Sequence, residues 1–456
     1  MHYDLIVIGA GPAGYLGAER ATESGMETLL IEKNKLGGVC LNVGCIPSKT
    51  LLNSAKIFDK ALHGEKYGIE VDGIKLTHGK VIERKNKVVH ALVSGVRAAL
   101  EKKNIDYKEG EAHIIGINEN GYLVELEDQK YSAEKLLIAT GSKPIIPEIN
   151  GLKESIKNEF VLTNSEILSL AEVPDKLTII GGGVIGLEMA SYYNSAGSDV
   201  TVIEMLNHIG GNIDEDISNI LLENYIQKGI SFELEAKVIG FDFKNNEIIY
   251  EKDDDEKRIK SDKSLLSIGR KPVLENLGLE NIGVEVENGH IKVDETGKTN
   301  LPGVYAAGDV NGKSLLAHTA YREAEVCVNN MVGKKDYMRY KAVPQVLYTD
   351  PEVVSIGETI KTAKEKNIDF EVKQLPMMYS GRYVAETENK SGICKILIDN
   401  KHKTLLGLHM ISHNASEIIY GAGIMIENEL RLKEIKEIIF PHPTVSEIIR
   451  ETIFEF

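Results

Sequence analysis

The chain opens on a short apolar run followed by a longer amphipathic stretch, and this pattern recurs. Residues 4–33 read DLIVIGAGPAGYLGAERATESGMETLLIEK, and residues 176–205 read KLTIIGGGVIGLEMASYYNSAGSDVTVIEM. A fixed offset of 172 positions places Gly9, Gly11 and Gly14 on Gly181, Gly183 and Gly186, and Glu32 on Glu204. Residues 5–8 and 177–180 are short, mostly apolar runs, as in strands buried on both faces of a parallel sheet. Residues 12–24 and 184–195 carry helical periodicity, and Gly25 and Gly197 follow where a C-cap glycine belongs. Residues 29–31 and 200–203 predict second strands, each ending on its glutamate.

Between the copies, 47–62 and 80–103 read as helices, and 107–138 as strands of a small antiparallel excursion. After the second copy, 230–266 reads as strands with an acidic hairpin tip at 252–256, and 300–310 as a strand ending in glycine and aspartate. The last part mixes strands (352–356, 393–398, 404–410) with helices (359–366, 415–427, 431–437, 444–453). The expectation is an α/β protein with two Rossmann-like dinucleotide-binding domains and a C-terminal α+β domain. The expected bounds are 1–147, 148–271, a central 272–340, and 341–456.

Composition narrows the function. The 456 residues carry 53 Lys plus Arg against 69 Asp plus Glu, a net charge of −16. Such a surface repels phosphate backbones, so nucleic acid is not expected as a partner. No apolar run reaches the roughly 18–20 residues of a membrane span, and the start lacks a basic signal-peptide region. No membrane insertion is expected, and the expected location is cytoplasmic. Four cysteines are too few for a disulfide-stapled fold of this size.

Gly9-x-Gly11-x-x-Gly14 and Gly181-x-Gly183-x-x-Gly186 match the dinucleotide fingerprint. Its first glycine makes the tight turn, its second admits a pyrophosphate, and its third lets helix pack on strand. Glu32 and Glu204, at the spacing of ribose-binding acids, suit a 2′-hydroxyl and repel a 2′-phosphate, so the second site is expected to prefer NAD. Cys40 and Cys45 lie five residues apart, with Pro47 suited to the first turn of a helix. The pair reads as a redox dithiol, with a zinc site or inert thiols as alternatives. His442 is framed by Pro441 and Pro443, and Thr444 with Glu447 fits a capping box. From spacing alone His442 is one candidate base, with His318, His409 and His413 as competitors.

Together these motifs resemble the pyridine nucleotide–disulfide oxidoreductases, and among them the branch that oxidises dihydrolipoamide. The resemblance spans essentially the whole chain. It rests on GGVCLNVGCIPSK at 37–49, ATGS at 139–142, GRKP at 269–272, AGD at 307–309, and the His-Pro-Thr before Glu447. It implies FAD at the first fingerprint and NAD at the second. Cys40 would be the thiol that exchanges with substrate, and Cys45 the thiol beside the flavin. His442, oriented by Glu447, would be the base, supplied by the other subunit of a homodimer formed through the C-terminal domain. Lys49 would lie by the flavin ring and pair with Glu188. Thr140, Gly141, Gly269, Asp309 and Ala317 would complete the cofactor sites. Lipoyl domains of a multienzyme complex and its subunit-binding domain would be partners, the latter through a basic patch. The implied alternative is another NADH-dependent flavin disulfide reductase with a different disulfide substrate. Two positions depart from the family pattern: Val39 stands where threonine is usual, and Thr319 where lysine is common.

Overall fold

The structure, a computed structural model, describes residues 1–387 and 391–456. The chain divides into two compact units. One comprises Met1–Thr50, Gly79–Pro147 and Gly269–Arg339; the other comprises Leu51–His78, Glu148–Ile268 and Tyr340–Phe456.

In the first unit, strand His2–Ile8 lies at the centre of a seven-stranded sheet. It pairs in parallel with Thr28–Glu32 on one side and with Gln129–Ile138 on the other. Leu5, Ile6 and Val7 are fully buried, which accounts for the unbroken apolar run. Side chains of this size each contribute about 1.5–3 kcal/mol when taken out of water. Helix Pro12–Glu23 packs on the sheet through Ala13, Gly14, Gly17, Ala18 and Ala21, a stripe of small residues that lets the backbones approach. Residues 107–138 do not form a separate excursion. Asp106–Glu109 adds in parallel to Thr28–Glu32, and only Ala112–Asn118, Gly121–Leu126 and the first half of Gln129–Ile138 run antiparallel. The far end of that ten-residue strand, Leu136–Ile138, takes Val304–Ala306 as a parallel neighbour. Residues 304–306 therefore complete the sheet begun by residue 2.

In the second unit, the repeat copy forms a five-stranded parallel sheet in the order Ser231–Glu233, Asp199–Ile203, Lys176–Ile180, Lys263–Leu266, Val161–Leu162. Helix Val184–Ser195 buries every residue from Gly186 to Tyr193. The hairpin Glu247–Lys252 with Asp255–Lys260 turns on Asp253 and Asp254, both at positive φ (57° and 63°), as a two-residue turn with right-handed strand twist requires.

The C-terminal part of this unit is an antiparallel sheet in the order Gln345–Leu347, Glu352–Gly357, Leu405–Ser412, Ile393–Asp399, Phe370–Pro376. Its central strands match the expected ones. The two edge strands, Gln345–Leu347 and Phe370–Pro376, were not expected, and each is only partly buried. Lys395, on Ile393–Asp399, is buried and paired at 2.5 Å with both Asp214 and Asp216 at the start of helix Glu215–Gln227. A charge so far from water is tolerated because it is paired.

Candidate active site

The two fingerprints fold alike. Gly9 and Gly181 have φ of 99° and 102°, a region that side chains disfavour. A Cβ on Gly14 would stand 1.7 Å from the Gly9 carbonyl oxygen, and one on Gly186 would stand 2.1 Å from that of Gly181. The protein's own packing therefore demands the first and third glycines. The middle ones differ. Gly11 and Gly183 are N-caps with extended backbone, open to any residue. A Cβ on Gly183 would meet nothing within 4 Å, and one on Gly11 only a Gly38 carbon at 4.0 Å. What a side chain would fill there is the space over each helix N-terminus, where free N–H groups favour a phosphate. The glutamates repeat as well. Glu32 accepts the Ala10 N–H at 2.6 Å and the Asn34 N–H at 2.8 Å. Glu204 accepts the Gly182 N–H at 2.7 Å and the Leu206 N–H at 2.8 Å. Each carboxylate is fixed by two backbone donors, and each oxygen keeps a lone pair for a ribose hydroxyl. Both sites thus fit a dinucleotide.

Cys40 sits in the short helix Gly38–Val43, and Cys45 is the first residue of helix Cys45–Leu62. Gly44 makes the break between them, where a Cβ would meet the Val39 carbonyl oxygen at 2.9 Å. The entry is tied by Asn42, whose amide donates to the Leu36 carbonyl at 3.0 Å and to that of Gly38 at 2.9 Å. Sequence reasoning did not single out Asn42. Both cysteines are free thiols. The neighbouring Cys45 thiol, and then burial, push the Cys40 thiol well up, while the Lys49 charge opposes them. Lys49 is one turn into the same helix, with its Nζ 3.4 Å from Ser48 Oγ. Glu188 is buried on Val184–Ser195, where its Oε1 accepts the Tyr348 N–H at 3.3 Å.

Three motifs far apart in sequence converge beside the first fingerprint. Arg270–Pro272 pairs with Ser142–Pro144, and the Thr140 hydroxyl donates to the Val273 carbonyl at 2.7 Å. Gly141 has φ 68°, and the Gly269 carbonyl accepts the Ile145 N–H at 3.1 Å. Ser142 Oγ donates to Asp309 and accepts from Arg270 Nε at 2.8 Å. Asp309 opens a single turn, Asp309–Asn311, after Gly308. That turn is held by Glu323, a buried carboxylate that accepts the Gly308 N–H at 2.6 Å and the Asn311 amide at 2.9 Å. Glu323 lies mid-helix, and nothing in its local pattern marks it. Ala317 is the first residue of that helix, Ala317–Met331. Thr319 is buried and accepts from Ser314 Oγ at 3.0 Å.

The histidines separate by their partners. His409 is fully buried, with one ring nitrogen 2.7 Å from Ser355 Oγ and the other 2.9 Å from the Glu358 carbonyl. His413 lies 3.1 Å from Thr387 Oγ1 and 3.4 Å from Asp350. His442 differs: its Nδ1 is 2.6 Å from Glu447 Oε1, and its side chain is 77% exposed. An ionised carboxylate only accepts, so Nδ1 carries the proton and Nε2 presents its lone pair to solvent. Glu447 Oε2 accepts the Thr444 N–H at 2.9 Å. That bond, more than His442, holds the carboxyl below its usual range. The expected capping box is only half formed. The helix runs Glu447–Phe454 with Ser446 as N-cap, and the Thr444 hydroxyl turns back to the Pro441 carbonyl.

Among the described residues, no group of three or more His, Cys, Asp or Glu is placed to hold a metal ion. No described helix is long and apolar enough to cross a membrane.

Comparison with known proteins gives a consistent result. The family model for pyridine nucleotide-disulphide oxidoreductases matches residues 3–324, and that for the family's dimerisation domain matches residues 343–453. The dihydrolipoyl dehydrogenase of Mycoplasma pneumoniae is 36% identical over 454 residues, covering 99% of this chain and 98% of the relative. That of Chlamydia trachomatis is 36% identical over 451 residues, covering 99% and 96%. Among solved structures, the HOCl-induced flavoprotein disulfide reductase RclA of Escherichia coli superimposes with a TM-score of 0.87 at 26% identity, covering 99% of both chains.

Proposed function

Because this chain belongs to the pyridine nucleotide–disulfide oxidoreductases, we propose that it is a dihydrolipoamide dehydrogenase. The reaction is dihydrolipoamide plus NAD giving lipoamide, NADH and a proton. The observation that carries this reading is a dithiol, Cys40 with Cys45, built onto a first nucleotide site in a chain that holds a second. Relatives bearing that name match over the full length. The family's cofactors are FAD and NAD. Gly9, Gly11, Gly14, Glu32, Lys49, Thr140, Gly141, Gly269, Asp309 and Ala317 would hold FAD. Gly181, Gly183, Gly186, Glu188 and Glu204 would hold NAD.

The cycle starts from the oxidised pair. His442 Nε2 takes the proton of one substrate thiol, acting on the dithiol of the other subunit of a homodimer. The substrate thiolate attacks Cys40 Sγ, forming a mixed disulfide and releasing Cys45 as thiolate. The second substrate thiol then attacks the substrate sulfur of that mixed disulfide. The lipoamide ring closes, Cys40 leaves with the electron pair, and a proton returns to it. The protein now holds two electrons as the dithiol seen here. FAD, when bound, supplies the acceptor for those electrons and their relay as hydride to NAD. Glu447 keeps Nδ1 protonated, so the base is always Nε2. Lipoyl domains present the substrate, and the net charge of −16 suits docking onto a basic subunit-binding domain.

An anaerobic titration of the purified protein with dihydrolipoamide tests the reading. The expected result is a response of the flavin absorption that added NAD reverses as NADH appears. A flavin that responds to NADH but not to dihydrolipoamide would assign the dithiol to another disulfide substrate.

The two kinds of glycine predict separable phenotypes. Gly186→Ala forces a Cβ onto a carbonyl oxygen and is expected to cost about 1–3 kcal/mol, read as a lower Tm. Gly183→Ala meets no protein atom, so Tm stays near that of the parent while KM for NAD rises about tenfold. Equal Tm losses in both variants would remove the argument for a ligand over Gly183.

A further inference from the structure

His442 stands on an exposed stretch of chain. Pro441, His442 and Pro443 are all exposed, and burial begins only with Thr444 and Val445. The imidazole is held from within the segment, by Glu447. The loop that carries it has one outside anchor. Among the described residues, the hydrogen bonds of 439–446 run to one another or to the helix that follows, with a single exception. The Ser380 hydroxyl, 64 residues away in sequence, donates to the Thr444 carbonyl at 3.0 Å.

Ser380 is itself firmly placed. It is fully buried. Its N–H donates to the Met377 carbonyl at 2.9 Å, and its carbonyl accepts the Val384 N–H at 3.2 Å. Its Oγ also accepts the Tyr383 N–H at 3.2 Å, as N-cap of helix Gly381–Glu386. That bond occupies a lone pair and leaves the O–H for Thr444. Met377 and Tyr383 lie in the core of the C-terminal sheet. On the loop side, Thr444 is the junction. Its carbonyl accepts from Ser380, and its N–H donates to Glu447 Oε2 at 2.9 Å. Glu447 Oε1 in turn lies 2.6 Å from His442 Nδ1. One short path therefore runs from a buried hydroxyl, through Thr444 and Glu447, to the exposed base. Val445 and Phe440 pack on the same core. Apolar packing has no direction, however, whereas a hydrogen bond weakens steeply off its line.

We propose that Ser380 is a positioning residue for proton transfer: it moors the His442 loop and so fixes where Nε2 meets the substrate thiol. The inference rests on the reading of His442 as the base.

The test is steady-state oxidation of dihydrolipoamide by the holoenzyme variants Ser380→Ala and Ser380→Cys. The cysteine fills nearly the same volume with a much weaker donor, so it removes the anchor without leaving a cavity. In both variants kcat is expected to fall about tenfold with KM within about twofold of the parent, because a misplaced base slows the reaction without loosening binding. Added to His442→Gln, neither substitution should lower kcat again, whereas a general loosening of the fold would. Where Ser380→Ala does not fold, kcat of Ser380→Cys decides alone. An unchanged kcat overturns the proposal. So does a loss in Ser380→Ala that Ser380→Cys does not share, or a further loss in the His442→Gln background. If His442→Gln itself oxidises dihydrolipoamide at the parent rate, the base assignment falls, and this inference with it.

Discussion

Cys45→Ser is expected to lower dihydrolipoamide-dependent NAD reduction on the order of 10³-fold or more. A single thiol at Cys40 can form a mixed disulfide but cannot close one within the protein, so no electron pair can be stored as dithiol. Cys40→Ser should fail to a similar extent, because two groups that act as one unit do not contribute additively. Stability should be nearly unchanged. Cys45 is the first residue of its helix, where serine is well tolerated, and Cys40 is only partly buried. The discriminating measurement pairs dihydrolipoamide oxidation with NADH oxidation by an artificial dye that draws electrons directly from the flavin. The first activity should vanish while the second persists. Activity within a few-fold of the parent in the first assay would remove the dithiol from the mechanism.

The second large effect is at the base. His442→Gln is expected to lower the rate of dihydrolipoamide oxidation by about 10²–10⁴-fold, the usual contribution of a positioned proton acceptor. Glu447→Gln should cost less, about tenfold, because the single amide oxygen can still accept from one of the two donors, His442 Nδ1–H or the Thr444 N–H, which bond to different carboxylate oxygens in the parent, while its lost charge destabilises the imidazolium formed during transfer. The sign of the pH dependence follows from the carboxyl. Glu447 titrates below its usual range, so its negative charge is fully present above the ordinary glutamate pKa. It is lost only as pH falls through the lower folded value. The contribution of Glu447 should therefore disappear at acid pH, and the gap between parent and Glu447→Gln should narrow there. A constant ratio of the two rates across that range would show that the carboxylate does not act through its charge. Dye-linked NADH oxidation should be unaffected in both variants.

Elements that bury one apolar run or one helical face were legible one at a time. The Rossmann repeats were visible because strand, glycine turn, helix and terminal acid must follow one another at near-fixed spacing. Helix Val184–Ser195 ends just before Gly197, whose φ of 106° suits the glycine expected past its C-terminus. Strands Glu352–Gly357, Ile393–Asp399 and Leu405–Ser412 were visible because each is nearly all buried. The edge strands Gln345–Leu347 and Phe370–Pro376 were not, because the first has only three residues, too few to show alternation, and the alternation of Phe370 and Val372 in the second breaks off at Gln374.

The candidate chemistry divides the same way. The sequence alone singled out the residues expected to carry it. The Cys40 and Cys45 spacing, the two glycine fingerprints with Glu32 and Glu204, and the His442–Glu447 segment are local patterns, and the physical demands that produce them act within a few residues. Only the tertiary structure decided what those residues touch. It gave Asp106–Glu109 to the parallel side of the first sheet and joined Val304–Ala306 to Leu136–Ile138. It brought Asp309, Ser142 and Arg270 together, and it set Glu323 beneath their turn. It filled both ring nitrogens of His409 and His413 while leaving Nε2 of His442 open. It also placed Tyr321 against Tyr15 across 306 residues of chain. Hydrogen-bond partners and parallel neighbours are chosen across long loops, by closure and packing of the whole unit, and that choice leaves no periodic trace in the residues that make it.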